Sequence, residues 1–401
     1  MRITKWPEIF ESSLHILNSL QDAGFKAYFV GGSVRDYLLN LPVHDVDIAT
    51  SAYPEEIKKI FPQTIDTGIQ HGTVTVMDHG TSYELTTFRT ESGYQDYRRP
   101  DKVTFVRSLK EDLQRRDFTI NALAIAPDGE IIDEYEGLAD LDNHVIRAVG
   151  RAQDRFTEDA LRMMRAVRFQ SQLDFEIETN TLTAIRENAE LLKKISIERI
   201  NTEFTKMLLG KNWQRGFEQF LKTGLALNCP EFSNQSQNLE KMLSLKNTRI
   251  TSARSLWALV CQLLNIKDTR RFLTIWKESN QIKDDVQKIN FLTVDIENSN
   301  YDVWDFYQIG EKYFADLVNV CDVRKIEIDT SQIKQIYATL PITNKKDLAI
   351  NGDILLKELK IAPGPKLGKI LLDIEKQVVY GKLENEKSEL IKYCRKNYEV
   401  C

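Results

Sequence analysis

An abrupt change of residue pattern near position 150 limits this chain to an architecture with two unlike halves. Before it, short runs rich in β-branched and aromatic residues recur at 27–30, 46–49, 72–77, 82–89, 103–106 and 120–126, punctuated by Gly, Asp and Pro. Amphipathic helical patterns at 9–23 and 53–61 flank these runs, and the polar, aromatic and basic stretch 90–100 reads as a long exposed loop. After 150 the apolar residues recur at three and four, clearly so at 157–170, 181–193 and 197–209. Gly210, Gly224, Pro230 and Pro341 are breaks, 234–251 reads as a polar linker or loop, and the last eighty or so residues, 361–371 among them, read as a terminal helical module. The expected fold class is α+β: a mixed sheet with flanking helices, followed by an all-helical arm.

Charge and cysteine usage narrow the function. A net charge of −5 excludes a protein that coats nucleic acid by bulk positive charge, but leaves room for a local basic groove. No apolar run approaches the ~18 residues of a membrane helix. Cys229, Cys261, Cys321, Cys394 and Cys401 have no metal-ligand spacing, so free thiols in a reducing, cytoplasmic setting are expected.

Two segments carry the first chemical signal. Gly31, Gly32, Ser33, Val34, Arg35 and Asp36 follow an apolar strand at 28–30 and open a helix at 33–39. Glycines allow a ligand to approach the backbone, the helix start offers free N–H groups to phosphate, and Arg35 adds positive charge. Asp45 and Asp47, alternate residues on a strand, face one way. Two such carboxylates repel unless a cation lies between them, and hard oxygen ligands favour magnesium. Glu84, on the later strand YELTTFR, is the candidate third carboxylate, nearest an attacking hydroxyl.

Further on lies the block EDALRMMRAVRF. Arg162, Arg165 and Arg168 recur every three residues along a helical stripe, one turn after Asp159. A solvated charged face accounts for Asp159 with Arg162 but leaves the other two arginines without named partners. A base-reading pair accounts for all four. Cytosine and adenine each present an exocyclic amino donor beside a ring-nitrogen acceptor. A carboxylate accepts from the first while a guanidinium donates to the second. Uracil and guanine invert that order, and sites of this kind reject the wrong partner by ~10⁴-fold or more. Arg165, Arg168, Arg116 and Arg35 then neutralise triphosphate.

The pattern GGSVRD followed by HDVDIAT, with EDALRMMRAVRF, resembles the class II CCA-adding tRNA nucleotidyltransferases and their relatives, the bacterial poly(A) polymerases. RRDFTINA at 115–122, DEYEGLADL at 133–141 and ISIERINTEF at 195–204 resemble the family's nucleotide-contact, hinge and neck-bracing motifs. The resemblance implies a polymerase-β-type head over 1–145, a helical neck over 146–215 carrying the nucleotide-selecting helix, a helical body over 216–320, and a tRNA-binding tail over 321–401. It implies catalytic and metal roles for Asp45 and Asp47. It implies nucleotide contacts for Arg116, Asp117, Arg165 and Arg168, which join Gly32 and Arg35 as nucleotide-binding candidates, and base reading for Asp159 with Arg162. The implied activity is template-independent addition of CCA to tRNA from CTP and ATP, with magnesium as cofactor and the acceptor stem and upper half of tRNA as partner. A homodimer is a family-level expectation.

Relatives add only CC, only A, or poly(A). The charged element between the first two motifs (Arg89, Glu91, Asp96, Arg98, Arg99) favours full CCA addition, and the absence of a long basic extension disfavours poly(A). Lys366 and Lys369, beside Gly364 and Gly368, are candidate contacts to the tRNA backbone, with a plain surface turn as the alternative. A small-molecule nucleotidyltransferase has no need of the arginine series or the arm, and a non-catalytic RNA-binding protein has none for the paired carboxylates.

Overall fold

In the computed structural model, residues 2–3, 5–95, 99–245, 248–359 and 363–398 are described, apart from the side chains of 92–95, 99–102 and 359. The chain divides into two compact units, 1–236 and 237–401.

The first unit is built on a seven-stranded sheet with the order β3-β4-β5-β2-β1-β8-β9. The strands are β1 (Ala27–Val30), β2 (Asp47–Thr50), β3 (Thr64–Gly68), β4 (Thr73–Asp78), β5 (Thr81–Thr87), β8 (Leu123–Ile125) and β9 (Ile131–Asp133). Only β2 and β5 run parallel, in a register that sets Asp47 beside Glu84. One face is covered by the N-terminal helices, where Phe10 meets Phe29 edge-on at 4.8 Å. Toward the other lies a buried cluster of Val30, Ala49, Phe88, Leu109, Leu113 and Ala124. Covering both faces leaves the sheet ends, where the carboxylates lie, open to a ligand.

Four local expectations are corrected. The helix expected at 9–23 is two, Glu8–Glu11 and Leu14–Asp22, because Ser12 and Ser13 both donate back to the Ile9 carbonyl instead of letting the helix run on. Of the expected loop 90–100, residues 90–95 and 99–100 belong to an antiparallel ribbon of β6 (Arg89–Gln95) and β7 (Arg99–Phe105). Arg89 anchors its base by a 2.9 Å pair with Glu91, so part of the charged element holds a strand in place. Asp96 and Arg98 lie outside the described residues, as does the Arg99 side chain. The expected linker 234–251 contains a helix, Ser236–Leu243, that buries Leu239 and Met242.

The fourth correction bears on function. The helix expected over 157–170 breaks at Asp159, giving Ala152–Glu158 and Leu161–Leu173. Asp159 is extended (φ −139°, ψ 101°), and its carboxylate accepts from the Leu161 N–H at 3.1 Å, restarting the helix. An aspartate prefers this capping role to a place inside a helix. The arginine helix Leu161–Leu173 is held from behind by Ile197–Leu208 and Trp213–Lys222. Gly216 lets the latter approach: a Cβ there would stand 2.4 Å from the Val167 carbonyl oxygen.

The second unit is helical. Trp257 and Trp276 pack at 5.1 Å, and a separate cluster of Ile350, Leu355, Ile374, Val378 and Leu390 forms its C-terminal core, with Tyr307 donating to Glu375 at 2.6 Å. The four described cysteines are buried free thiols, and no described helix is long and apolar enough to cross a membrane.

Candidate active site

The chain turns sharply from β1 into the helix Gly32–Leu38. Gly31 takes φ +76°, and a Cβ there would lie 3.0 Å from Arg116 Nη1 and 3.4 Å from Asp47 Oδ2. The glycine therefore supplies both the turn and the gap through which a guanidinium and a carboxylate converge. Gly32 has Arg35 Nη2 3.5 Å from its would-be Cβ. Arg35 is buried and held by Asn121 (2.6 Å) and Asp36 (2.9 Å).

Both carboxylates are exposed, but only Asp47 is on a strand, opening β2; Asp45 lies in the irregular segment before it. The strand alternation expected for the pair does not apply. The two still act on one another: burial first, then the charges of Glu84 and Asp45, raise the Asp47 pKa against the lowering effect of Arg116. Three carboxylates thus share one electrostatic neighbourhood. Their oxygens do not all gather within 4.8 Å, since the only such trio among the described residues is His15, Asp78 and His79.

Beside the carboxylates is a cavity of about 470 Å³, lined by seven arginines (35, 115, 116, 162, 165, 168 and 199) against three aspartates (47, 117 and 159). Packing seven guanidiniums together needs counter-charges behind them. Buried Asp112 takes Arg115 at 2.8 Å and Arg116 at 3.3 Å, and also accepts from the Arg89 N–H of the β6–β7 ribbon. Glu203 faces Arg168 and, at 3.8 Å, Arg165. The Phe169 ring lies under three guanidinium groups, those of Arg168 (3.8 Å), Arg35 (4.9 Å) and Arg165 (5.3 Å), which favours their clustering. Arg165 and Arg168, left without partners by sequence reasoning, are therefore paired. Among the described residues, Arg116 Nε is a buried donor of this cavity with no hydrogen-bond partner.

Asp117 is buried and fully engaged by the protein. Oδ1 accepts from the Phe118 N–H (2.8 Å) and Asn121 (2.9 Å), and Oδ2 from Arg165 (2.6 Å). Burial opposes its ionisation, but the Arg165 charge and these hydrogen bonds override it and hold the carboxyl well below the usual carboxylate range. A depressed pKa means stability that is present at neutral pH and lost as acid protonates the folded-state group. Asp117→Asn is expected to cost about 2–3 kcal/mol at neutral pH, because it leaves Arg165, a third exposed, with only the more distant Glu203 as counter-charge. Urea unfolding of the two proteins should show that gap at pH 7 and its closure in strong acid; equal stability at pH 7 would sink the assignment.

Asp159 and Arg162 both line the cavity but are not paired with each other. Asp159 is gripped by Arg199, at 3.2 Å to Oδ1 and 2.7 Å to Oδ2. Arg162 donates to Glu158 (2.7 Å) and to the carbonyls of Arg155 (3.1 Å) and Arg115 (2.7 Å). Of the roughly four acceptor positions on the Asp159 carboxylate, these contacts and the Leu161 N–H use three. Of the five N–H donors of Arg162, three are used. Among the described residues, then, each keeps unspent capacity, and neither is free to swing.

Sequence reasoning missed Arg199, Glu203, Asn121 and Asp112. Arg199 and Glu203 are four apart on one helix face that also buries Ile200, Phe204 and Met207. Charges set among core positions at that spacing were the available signal. The motif at 133–141 has a supporting role. Asp133 caps Gly137 and Leu138 at 2.8 and 2.9 Å, and Asp140 accepts from Thr119 at 2.6 Å, fixing the turn that carries Asn121. Lys366 and Lys369 are exposed and three apart in the first turns of the helix Pro365–Val379, in the second unit.

The likenesses to known proteins agree with this geometry. Residues 27–147 match the poly A polymerase head domain, 174–235 a probable RNA- and SrmB-binding site of polymerase A, and 248–394 a putative second domain of tRNA nucleotidyltransferases. The CCA-adding enzyme of Ligilactobacillus salivarius is 49% identical over 401 residues, covering 100% of this chain and 99% of that protein. That of Latilactobacillus sakei is 50% identical over 395 residues, covering 98% and 99%. The crystal structure of the Bacillus stearothermophilus CCA-adding enzyme in complex with CTP is 38% identical, with a TM-score of 0.85 and 98% of each chain covered. With near-complete coverage at such identity, the chain belongs to the family of CCA-adding enzymes.

Proposed function

We propose that this chain is a nucleotidyltransferase that adds and repairs the 3′-terminal CCA of tRNA, taking CTP and ATP and releasing pyrophosphate. The observation that carries the reading is the cavity in which seven arginines outweigh three aspartates, beside the Asp45, Asp47 and Glu84 carboxylates. A triphosphate is the small ligand whose charge suits that excess, and the unpartnered Arg116 Nε is a donor awaiting an anion.

The carboxylates fit a divalent cation. Desolvation first, and then the charges of Glu84 and Asp45, penalise Asp47 ionisation against the opposing pull of Arg116; a cation relieves that penalty, and an all-oxygen donor set favours magnesium. Asp45 and Asp47 are its proposed ligands. Bound there, such an ion neutralises charge at the transferring phosphoryl group and raises the acidity of the attacking hydroxyl. The protein does the positioning. Arg35, Arg116, Arg165 and Arg168, with the backbone at Gly32, hold the triphosphate, and Asp117 steadies Arg165. Asp159 accepts from the exocyclic amino group of C or A while Arg162 donates to the adjacent ring nitrogen. The tRNA 3′-hydroxyl attacks the α-phosphorus in line, its proton passes toward Glu84, and pyrophosphate departs.

We read 1–145 as head, 146–215 as neck, 216–320 as body and 321–401 as tail. In this reading the enzyme works in the cytoplasm, and Lys366 and Lys369 touch the tRNA backbone. Reversing both lysine charges should weaken tRNA binding and reduce the slope of log affinity against log salt by roughly one to two. An unchanged slope takes them out of the interface. The reading as a whole is tested by supplying purified protein and magnesium with tRNA lacking CCA and each labelled nucleotide in turn. Two C additions then one A are expected; a poly(A) product or labelling of a small molecule would refute it.

A further inference from the structure

Two of the chain's five histidines meet at a single carboxylate away from the nucleotide cavity. His15 Nε2 lies 2.7 Å and His79 Nδ1 2.6 Å from the same oxygen, Asp78 Oδ2, and the three ligating atoms all lie within 4.8 Å of one another. From this we infer that His15, Asp78 and His79 form a second metal site, for a zinc-class divalent transition metal, that clamps the N-terminal helix to the β4–β5 turn.

The donors come from two elements whose positions are fixed independently. His15 is on the exposed side of the helix Leu14–Asp22, which is anchored by buried Ile16, Leu17 and Leu20. Its ring stands edge-on to Tyr83 at 5.7 Å, and the Tyr83 hydroxyl reaches the Ser12 carbonyl at 3.4 Å. Asp78 ends β4, and His79–Gly80 is the two-residue loop to β5. Both loop residues have positive φ, +48° and +82°. The first place in such a turn suits Asn, Asp or Gly better than His. The turn nonetheless puts an imidazole there, aimed at the neighbouring carboxylate.

The donor chemistry differs from that of the catalytic carboxylates. Two imidazole nitrogens with one carboxylate oxygen suit zinc, cobalt or nickel, whereas magnesium prefers oxygen alone. In a tetrahedral zinc site with bonds of ~2.0–2.1 Å, neighbouring ligand atoms lie roughly 3.4 Å apart. The two nitrogen–oxygen spacings, 2.7 and 2.6 Å, are shorter than that value by less than 1 Å, so small side-chain shifts that open the cluster suffice. The three ligands leave one position for water. Tyr83, at the histidine cluster, and Glu84 are successive strand residues pointing to opposite faces of the sheet, so this site is distinct from the nucleotide cavity.

The test uses the full-length protein in excess magnesium, which competes for the oxygen-only carboxylates. Zinc is titrated by calorimetry, and cobalt by its visible absorption. Wild type is expected to bind one equivalent more than His15→Gln and His79→Gln, or to bind it at least about tenfold more tightly, the lower bound that loss of even an outer-shell partner reaches. Zinc should raise the unfolding temperature of wild type and leave that of both variants unmoved. Incorporation of CTP under magnesium should be unchanged in both, which shows that they fold. Equal zinc stoichiometry and affinity in all three proteins overturns the site and leaves a hydrogen-bonded cluster.

Discussion

Asp47→Ala is expected to abolish transfer of both C and A while leaving the fold intact. The residue begins β2 at the point where β2 and β5 align it with Glu84, and desolvation, then the charges of Glu84 and Asp45, raise its pKa against the pull of Arg116. Losing several kcal/mol of transition-state stabilisation corresponds to a fall of at least about 10³-fold in turnover. Stability should move the other way. A carboxyl whose folded-state pKa lies above its unfolded value contributes stability at low pH, lost as rising pH ionises it. In chelator-treated protein at pH 7, Asp47→Asn should therefore unfold at the same temperature as wild type or slightly higher. A clear drop in unfolding temperature, or near-wild-type turnover of the alanine variant, contradicts the proposed role.

The second large effect concerns selection rather than rate. Asp159→Ala should retain transfer but lose most of its preference for CTP and ATP over UTP and GTP. Sites built on such hydrogen bonds discriminate by 10⁴–10⁵, because a mismatched ligand leaves buried polar groups unpaired. Removing the acceptor should bring the CTP-to-UTP ratio of kcat/KM down by about 10²-fold or more. Arg199 loses its bidentate partner in this variant, so Arg199→Ala is the informative companion. It keeps the acceptor but frees it to move, and should raise KM for CTP with a smaller loss of selectivity. Unaltered nucleotide preference in Asp159→Ala would return the residue to a purely capping role.

Much of this was legible in the chain. The strand at 27–30, the glycine turn and its helix follow from local residue chemistry and stand as expected. What escaped were effects of partners distant in sequence. Nothing near Arg168 announces Glu203, and nothing near Asp159 announces Arg199, since each pair is made by helices packing together. The break at Asp159 escaped because apolar periodicity runs across it without interruption. The β6–β7 ribbon escaped because its residues are polar, and its pairing depends on anchors at one end.

The kink between Ala152–Glu158 and Leu161–Leu173 couples two properties usually engineered apart. The group proposed to sense the nucleobase also sets where the following helix begins, and with it the angular phase of every arginine downstream. Lengthening that side chain by one methylene, as in Asp159→Glu, would disturb the phosphate grip along with the preference. New nucleotide tastes should thus be easier to reach by altering the surrounding braces than by exchanging the sensor itself.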